Sequence, residues 1–494
     1  MEFLSCILLV LTFALTLQWG VSRVRSKTKL PPGPYPLPII GNILELGTKP
    51  HQSLARLAHI HGPIMRLKLG QVTTIVVSSP HMAKEVLKTH DHSLSDRAVP
   101  QSVHTHNHHN FSVAFSPVSP LWRHLRKVSN SHLFSNHALN SNQTLRRNKL
   151  HELLHDIHQS SLVGEAVDVG KAVFKASINL LSNSVFSLDL VSSADSVGDF
   201  QDLVVNIMEE VGKPNLADFF PVLKMIDPQG IRSRCCVYSG KLLDTFRDLI
   251  HQRLKLREDQ GFDSNNDMLS SLLNMAQLNG QEMNQTIIQH LCLTMFVAGT
   301  DTVTSTLEWA MAELVQNEKA MSKAKQELEE VIGKGKPVEE SDVGRLPYLQ
   351  AVIKETFRMH PAVPFLLPRK ANANVEIGGY TIPRGAHVLV NVWAIGRNSS
   401  VWENANVFSP DRFLNSDVDV KGLNFELTPF GGGRRVCLGL PLAMRMLHLM
   451  LGSLLNCFNW KVEEDGVTMN MDDKFGITLA KAQPVRIIPE KVIK

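Results

Sequence analysis

The chain predicts a mainly α fold with small β-sheets, an α+β body forming one domain behind an N-terminal membrane-anchor helix. Three observations carry that expectation. Between residues 145 and 330 apolar side chains recur at three- and four-residue spacing, the period of a helix face. Strand-like runs stand at IMRLKLGQVTTIVVSS (64–79) and VEIGGYTIPRGAHVLVN (375–391), the second with turn signals at Gly378-Gly379 and Pro383-Arg384-Gly385. No repeat, low-complexity tract or linker-like change of composition divides the body after residue 42.

The anchor is residues 1–22. FLSCILLVLTFALTLQWGV, residues 3–21, carries no charge, and at about 1.5 Å per residue it spans roughly 28 Å of bilayer hydrocarbon. Arg23, Arg25, Lys27 and Lys29 follow it and only Glu2 precedes it. A cleaved signal peptide carries its positive charge first, so this segment reads as an uncleaved, single-pass signal-anchor with the rest of the chain cytosolic. Residues 23–42 form a basic and proline-rich hinge, with five prolines between 31 and 38 that cannot continue a helix. Residues 43–494 form the body.

Composition narrows the class. Hydrophobic residues make up 43% and charged residues 20%, enough for a sizeable core. Lys and Arg number 51 against 47 acidic residues, a balance that argues against a nucleic-acid partner. The six cysteines (6, 235, 236, 292, 437, 457) form no CxxC pair, as in a reducing compartment.

Two internal stretches invite chemistry. VHTHNHHN (103–110) holds four histidines but matches no standard zinc spacing, so a polar loop is the plainer reading. From Asn284 to Gln316 an apolar helix is interrupted by Ala298-Gly299-Thr300-Asp301-Thr302. Glycine weakens a helix interior by about 1 kcal/mol, and Thr302 can offer its hydroxyl to the Ala298 carbonyl. A local opening there would lodge water or a small ligand. Asp301 and Thr302 read either as a proton relay or as a solvent-facing pair.

FGGGRRVCLG (430–439) poses a sharper choice. It lacks the Lys-Ser/Thr of a phosphate loop and the preceding strand of a dinucleotide fingerprint. A lone cysteine without soft partners suits an iron already held by four porphyrin nitrogens and needing one axial donor. The glycines would let the loop pass close to a flat macrocycle. Arg435 would pair with a propionate, and Gly439 would bring the start of the next helix tight against the ring. Its N–H groups would stabilise a Cys437 thiolate.

These residues resemble the cytochromes P-450. Phe430, Gly433, Arg435, Cys437 and Gly439 match the family's Phe-x-x-Gly-x-Arg-x-Cys-x-Gly loop, and Ala298 to Thr302 its oxygen-activation segment. Glu355 and Arg358 match its Glu-x-x-Arg pair, joined by Arg412 as a third structural member. Trp122 and Arg126 match its Trp-x-x-x-Arg element, and Arg369 resembles another propionate partner. Val303 after the threonine and Leu438 after the cysteine depart from common patterns.

The resemblance implies haem (heme b, iron-protoporphyrin IX) ligated by Cys437, proton delivery by Asp301 and Thr302, and dioxygen as co-substrate. Electrons would come from a separate NADPH-cytochrome P-450 reductase docking near Arg434 and Arg445. It further implies the endoplasmic reticulum membrane as location. DPQGIR (227–232), GKPNLADFFP (212–221) and FGITLAKAQPVRIIP (475–489) resemble plant microsomal terpenoid hydroxylases, the geraniol 8-hydroxylase and ferruginol synthase group.

The implied substrate is a lipophilic terpenoid, a monoterpenol such as geraniol or an abietane-type diterpenoid. The implied pocket residues are Phe111, Phe115, Phe296, Ala298, Val363, Phe365, Leu366 and Ile477, each of which plain core packing would also explain. Alternatives are oxidation of another apolar plant metabolite (phenolic, alkaloid or fatty acid), a reductase-independent haem-thiolate isomerase or dehydratase, and a non-catalytic haem carrier.

Overall fold

The helical period resolves into a succession of helices: Gln143–Val163, Val169–Phe186, Ala194–Gly212, Ile231–Gln260, Met268–Leu278, Gln285–Gln316 and Glu318–Ile332. The computed structural model describes residues 29–260, 267–278, 283–463 and 469–492. The expected anchor, 1–22, and the basic start of the hinge lie outside the described residues. Five helices position the site and are labelled in chain order: α1, Pro120–Ser129; α2, Val169–Phe186; α3, Gln285–Gln316; α4, Pro347–Met359; α5, Leu440–Cys457.

The two strand-like regions, some 300 residues apart, join in one sheet. Ile64–Leu69 (β1) and Val72–Val77 (β2) make an antiparallel hairpin through Gly70, whose φ of 55° suits a residue without Cβ. Asp96–Arg97 (β3), Arg369–Lys370 (β4) and His387–Val390 (β5) complete the order β1-β2-β5-β4-β3. β2 and β5 pair in parallel from Thr74↔His387 to Val77↔Val390, and β3 pairs β4 with Arg97 opposite Arg369. The Gly378-Gly379 signal closes a separate hairpin, Val375–Ile377 with Tyr380–Ile382, with both glycines at positive φ.

The described part of the proline-rich segment, expected to be a hinge, is docked along β1. The Pro32 carbonyl accepts from the Arg66 N–H at 2.7 Å, and Lys68 donates its N–H to Asn42 Oδ1 at 2.8 Å. A Cβ on Gly33 would lie 1.9 Å from the Arg66 carbonyl oxygen, so the chain passes there only as glycine.

α3 is apolar all round because it threads two cores. Its first half, Ile287 to Val297, packs with α2, Ala194–Gly212 and Ile231–Gln260. From Val303 to Leu314 it packs with α4 and α5. The changeover falls on Ala298 to Thr302. The helix stays regular there, contrary to the expected opening. Thr300 and Thr302 return their hydroxyls to the carbonyls of Phe296 and Ala298, each at 2.7 Å, which occupies the hydroxyls without breaking the ladder. Gly299 serves close packing instead: a Cβ would stand 2.9 Å from Leu181 Cδ1 on α2. Among the described residues, only α5 is long and apolar enough to cross a membrane, and 67% of it is buried within the protein as a core helix.

Candidate functional site

The loop of residues 430–437 closes on itself. The Cys437 N–H donates to the Phe430 carbonyl at 3.0 Å and Val436 N–H to Gly433 at 3.1 Å. Gly433 has a φ of 67°, and a Cβ would sit 2.2 Å from the Leu87 carbonyl oxygen and 2.9 Å from Asp91 Cγ. The glycine is therefore required by the protein's own backbone, whatever lies on the loop's other side. Phe430 packs edge-on to Phe357 of α4, centroids 5.2 Å apart. The Cys437 sulfur opens into a cavity and is otherwise enclosed. Burial pushes its pKa up, while the Gly439 and Leu440 N–H groups at the start of α5, with Arg126, favour the thiolate.

Four arginines gather beside this loop: Arg97, Arg126, Arg369 and Arg435. Arg369 pairs with Asp91 at 3.1 Å and, among the described residues, is the only one of the four in an ion pair. Asp91 also accepts from the Arg434 N–H at 3.0 Å, fastening the loop to the segment before β3. Arg435 donates to the carbonyls of Ser95 (2.8 Å) and Ser116 (2.7 Å), and its Nη1 is buried with no partner among the described residues. Arg97 bonds the carbonyls of Ala114 and Leu367. Its pKa is lowered well below the ordinary value by burial and by Arg369, Arg435 and Arg126.

Trp122 does not reach the cavity. Its indole N–H donates to the Val113 carbonyl at 3.0 Å, and its ring lies under Arg126 and Arg435 at 5.0 and 4.6 Å. Buried cations in excess of anions need an anionic guest. A planar cofactor with carboxylates, ligated by the sulfur, fits these residues: the orphaned guanidinium nitrogen, the uncompensated arginines and the thiol open to the cavity all point to haem. Arg97 was absent from the sequence-level candidates. Its strand partnership with Arg369 was the missing signal, because two residues paired across strands meet the same neighbour.

The Glu355 and Arg358 side chains are wholly buried, unlike a surface helix pair. Arg358 Nε and Nη2 each meet a Glu355 carboxylate oxygen at 2.7 Å, and Arg412 adds a third contact at 3.1 Å. The remaining Arg358 donors go to the carbonyls of Gly396, Ala405 and Val407. This cluster clamps α4 to residues 396–413, behind the sulfur loop.

The cavity, of about 380 Å³, lies where the two cores part on α3. Phe115, Ala298, Thr302, Val363, Leu366 and Ile477 line it, as do Val303 and Leu438, the two departures from the family pattern. Three expected lining residues are elsewhere. Phe296 is fully buried against Phe186 and Phe246, because one helix cannot turn residues 296 and 298 to the same side. Phe111 stacks on His290. Phe365 faces a second, wider cavity of about 1340 Å³ beneath the proline-rich segment. The two cavities share Arg97, Phe115, Val211, Leu366 and Ile477 in their walls.

Asp301 is buried behind the cavity wall beside Thr478, not facing solvent. Burial pushes its carboxyl up to about 6, with the Thr478 hydroxyl opposing. Thr302 alone of the pair faces the cavity.

Comparison with known proteins agrees with this geometry. Residues 31–487 match the Cytochrome P450 family. Over 493 residues the chain is 54% identical to geraniol 8-hydroxylase of Catharanthus roseus, covering 99% of both chains. It is 52% identical to geraniol 8-hydroxylase of Swertia mussotii, covering 96% of this chain and 97% of that one. With drimenol monooxygenase of Persicaria hydropiper it shares 51% identity over 95% and 94% of the two chains. The chain belongs to the cytochrome P450 family and is a haem-thiolate monooxygenase.

Proposed function

We propose that the protein hydroxylates a lipophilic terpenoid, a monoterpenol such as geraniol or a diterpenoid of abietane type. One observation carries the reading: an apolar cavity ends on the Cys437 sulfur, with Thr302 on its wall. The names of the relatives support the substrate class. One atom of dioxygen enters the substrate, and the other leaves as water after two electrons and two protons are supplied.

Bound haem would supply dioxygen activation. Cys437 would hold it from the loop side, with Gly439 and Leu440 donating to the sulfur. Arg435, Arg126, Arg369 and Arg97 would hold its carboxylates, and Trp122 would position Arg126 and Arg435. The apolar walls exclude water and orient the guest. Thr302 would pass a proton into the cavity, and Asp301, whose burial brings its carboxyl up to about 6, would take up a proton and resupply Thr302 from behind the wall. Phe430, Gly433 and the Glu355–Arg358–Arg412 cluster would keep the sulfur loop in place.

Residues 1–22 would anchor the chain in the endoplasmic reticulum membrane, 23–42 would form the hinge, and 43–494 the cytosolic catalytic domain. Exposed Tyr35, Ile39, Val222, Met225 and Ile226 support a membrane-facing side near the second cavity. The electron donor would be NADPH-cytochrome P-450 reductase, docking over exposed Arg434. Arg445 is spent on Glu340 and Asn140.

The test uses membranes containing the full chain, reductase and NADPH, with geraniol, nerol and abietanes as probes. The expected result is a product one oxygen heavier, made only with NADPH and dioxygen. Cys437→Ser should abolish both the product and the thiolate-type spectrum of the reduced carbon monoxide complex. Conversion of no terpenoid, with that spectrum intact, would overturn the substrate class. Turnover without NADPH would favour the isomerase reading.

A further inference from the structure

Where the histidine-rich segment meets α3, His108, Ser112 and Thr294 bring polar groups to the cavity wall. His108 Nδ1 lies 2.9 Å from His290 Nδ1, a distance that requires one proton shared between the two nitrogens. Burial and neighbouring histidines hold both uncharged, with His108 pushed down to about 3 and His290 to about 4. Phe111 stacks on His290 with centroids 5.1 Å apart, fixing that ring. His108 lines the cavity, and its Nε2 has no hydrogen-bond partner among the described residues.

Beside it, the Ser112 and Thr294 hydroxyls meet at 3.1 Å, and Thr294 donates onward to the His290 carbonyl at 3.0 Å. Those protons are spent inside the protein. What faces the guest is acceptor oxygen and one imidazole nitrogen, donor or acceptor according to which ring carries the shared proton. A hydroxyl answers either state and a hydrocarbon neither.

We propose that His108, positioned by His290, is a specificity-determining residue that hydrogen-bonds a hydroxyl group on the lipophilic substrate. The inference rests on the terpenoid reading and deepens it: the substrate is an alcohol, held by its oxygen. Thr294 precedes Thr302 by eight residues on one regular helix, about 12 Å. An alcohol held at His108 and Thr294 therefore presents its remote end to Thr302 and Cys437, and oxidation falls there.

The test measures dissociation constants of the haem-loaded enzyme from substrate-induced absorbance changes. The probes are geraniol, its methyl ether and 2,6-dimethylocta-2,6-diene. Wild type should bind geraniol about tenfold more tightly than the diene, the worth of one neutral hydrogen bond, with the ether between. His108→Phe should bring geraniol and the diene to equal affinity while leaving the diene's own constant unchanged. Thr294→Val should reduce the preference by a smaller factor. Product analysis should place the new oxygen at the end remote from the hydroxyl. Equal binding of geraniol and diene by wild type, or a preference that survives in His108→Phe, overturns the hydroxyl contact and leaves the terpenoid reading standing. Failure of all three probes to bind overturns both.

Discussion

Asp301→Asn separates the price of a buried carboxyl from its use. Holding the acid at about 6 instead of 3.8 corresponds to about 3 kcal/mol against the charged form, at about 1.4 kcal/mol per decade. The sign follows from proton binding. The folded protein binds this proton more tightly than the unfolded chain, so stability is lost as pH rises from about 3.8 to about 6 and stays lost above. Glu308, pushed up to about 7 mainly by burial, adds a slope of the same sign, which the substitution reduces only by removing the Asp301 charge, a minor cause of that shift. The amide carries no charge, so Asp301→Asn should be the more stable protein at pH 8, by up to about 3 kcal/mol. That gap should narrow at pH 5. Circular dichroism melts of both haem-loaded proteins at one scan rate measure it, a rise of a few degrees being expected at pH 8. Product formed per NADPH should fall in the variant, because the amide cannot pass on a proton. A variant that melts below wild type at pH 8, or by the same difference at both pH values, would refute the reasoning.

Arg358→Ala leaves the fully buried Glu355 carboxylate with Arg412 as its one ion-pair partner and the Ser409 N–H as a hydrogen-bond donor among the described residues, and should cost about 3–5 kcal/mol, read as loss of haem-loaded protein on expression. Arg412→Ala, at the edge of that cluster, should cost about 1 kcal/mol by the same measure. Gly433→Ala should fail to retain haem, because the Cβ meets the Leu87 carbonyl oxygen at 2.2 Å on a backbone with a φ of 67°. Gly439→Ala should fold like wild type, its Cβ meeting only the Cys437 sulfur at 3.8 Å. Any spectral change in it then reports on the cofactor face, and melting curves with absorbance spectra distinguish the two variants.

The features that were legible from sequence are those whose cause is local. Helical periodicity, the Gly378-Gly379 turn and the Thr302 bond to the Ala298 carbonyl depend on neighbours within four residues. Phe296 was misplaced because two core residues two positions apart on a helix both read as apolar, although they face different neighbours. Gly299 suggested a broken helix, while its cause is Leu181 on another segment. Arg97 escaped notice because its partners come from β4 and the sulfur loop, contacts that only the folded topology creates. Asp301 beside Thr478 was out of reach for the same reason.

Because α3 belongs to one core before residue 298 and to the other after 302, the chamber has two walls of separate parentage. Substitutions among Ala194–Gly212, Ile231–Gln260 and the histidine-rich segment would reshape the space offered to a guest without disturbing the scaffold behind the cysteine. New selectivities are thus open to such a chain by drift on one side alone, with the oxidising machinery carried along unaltered.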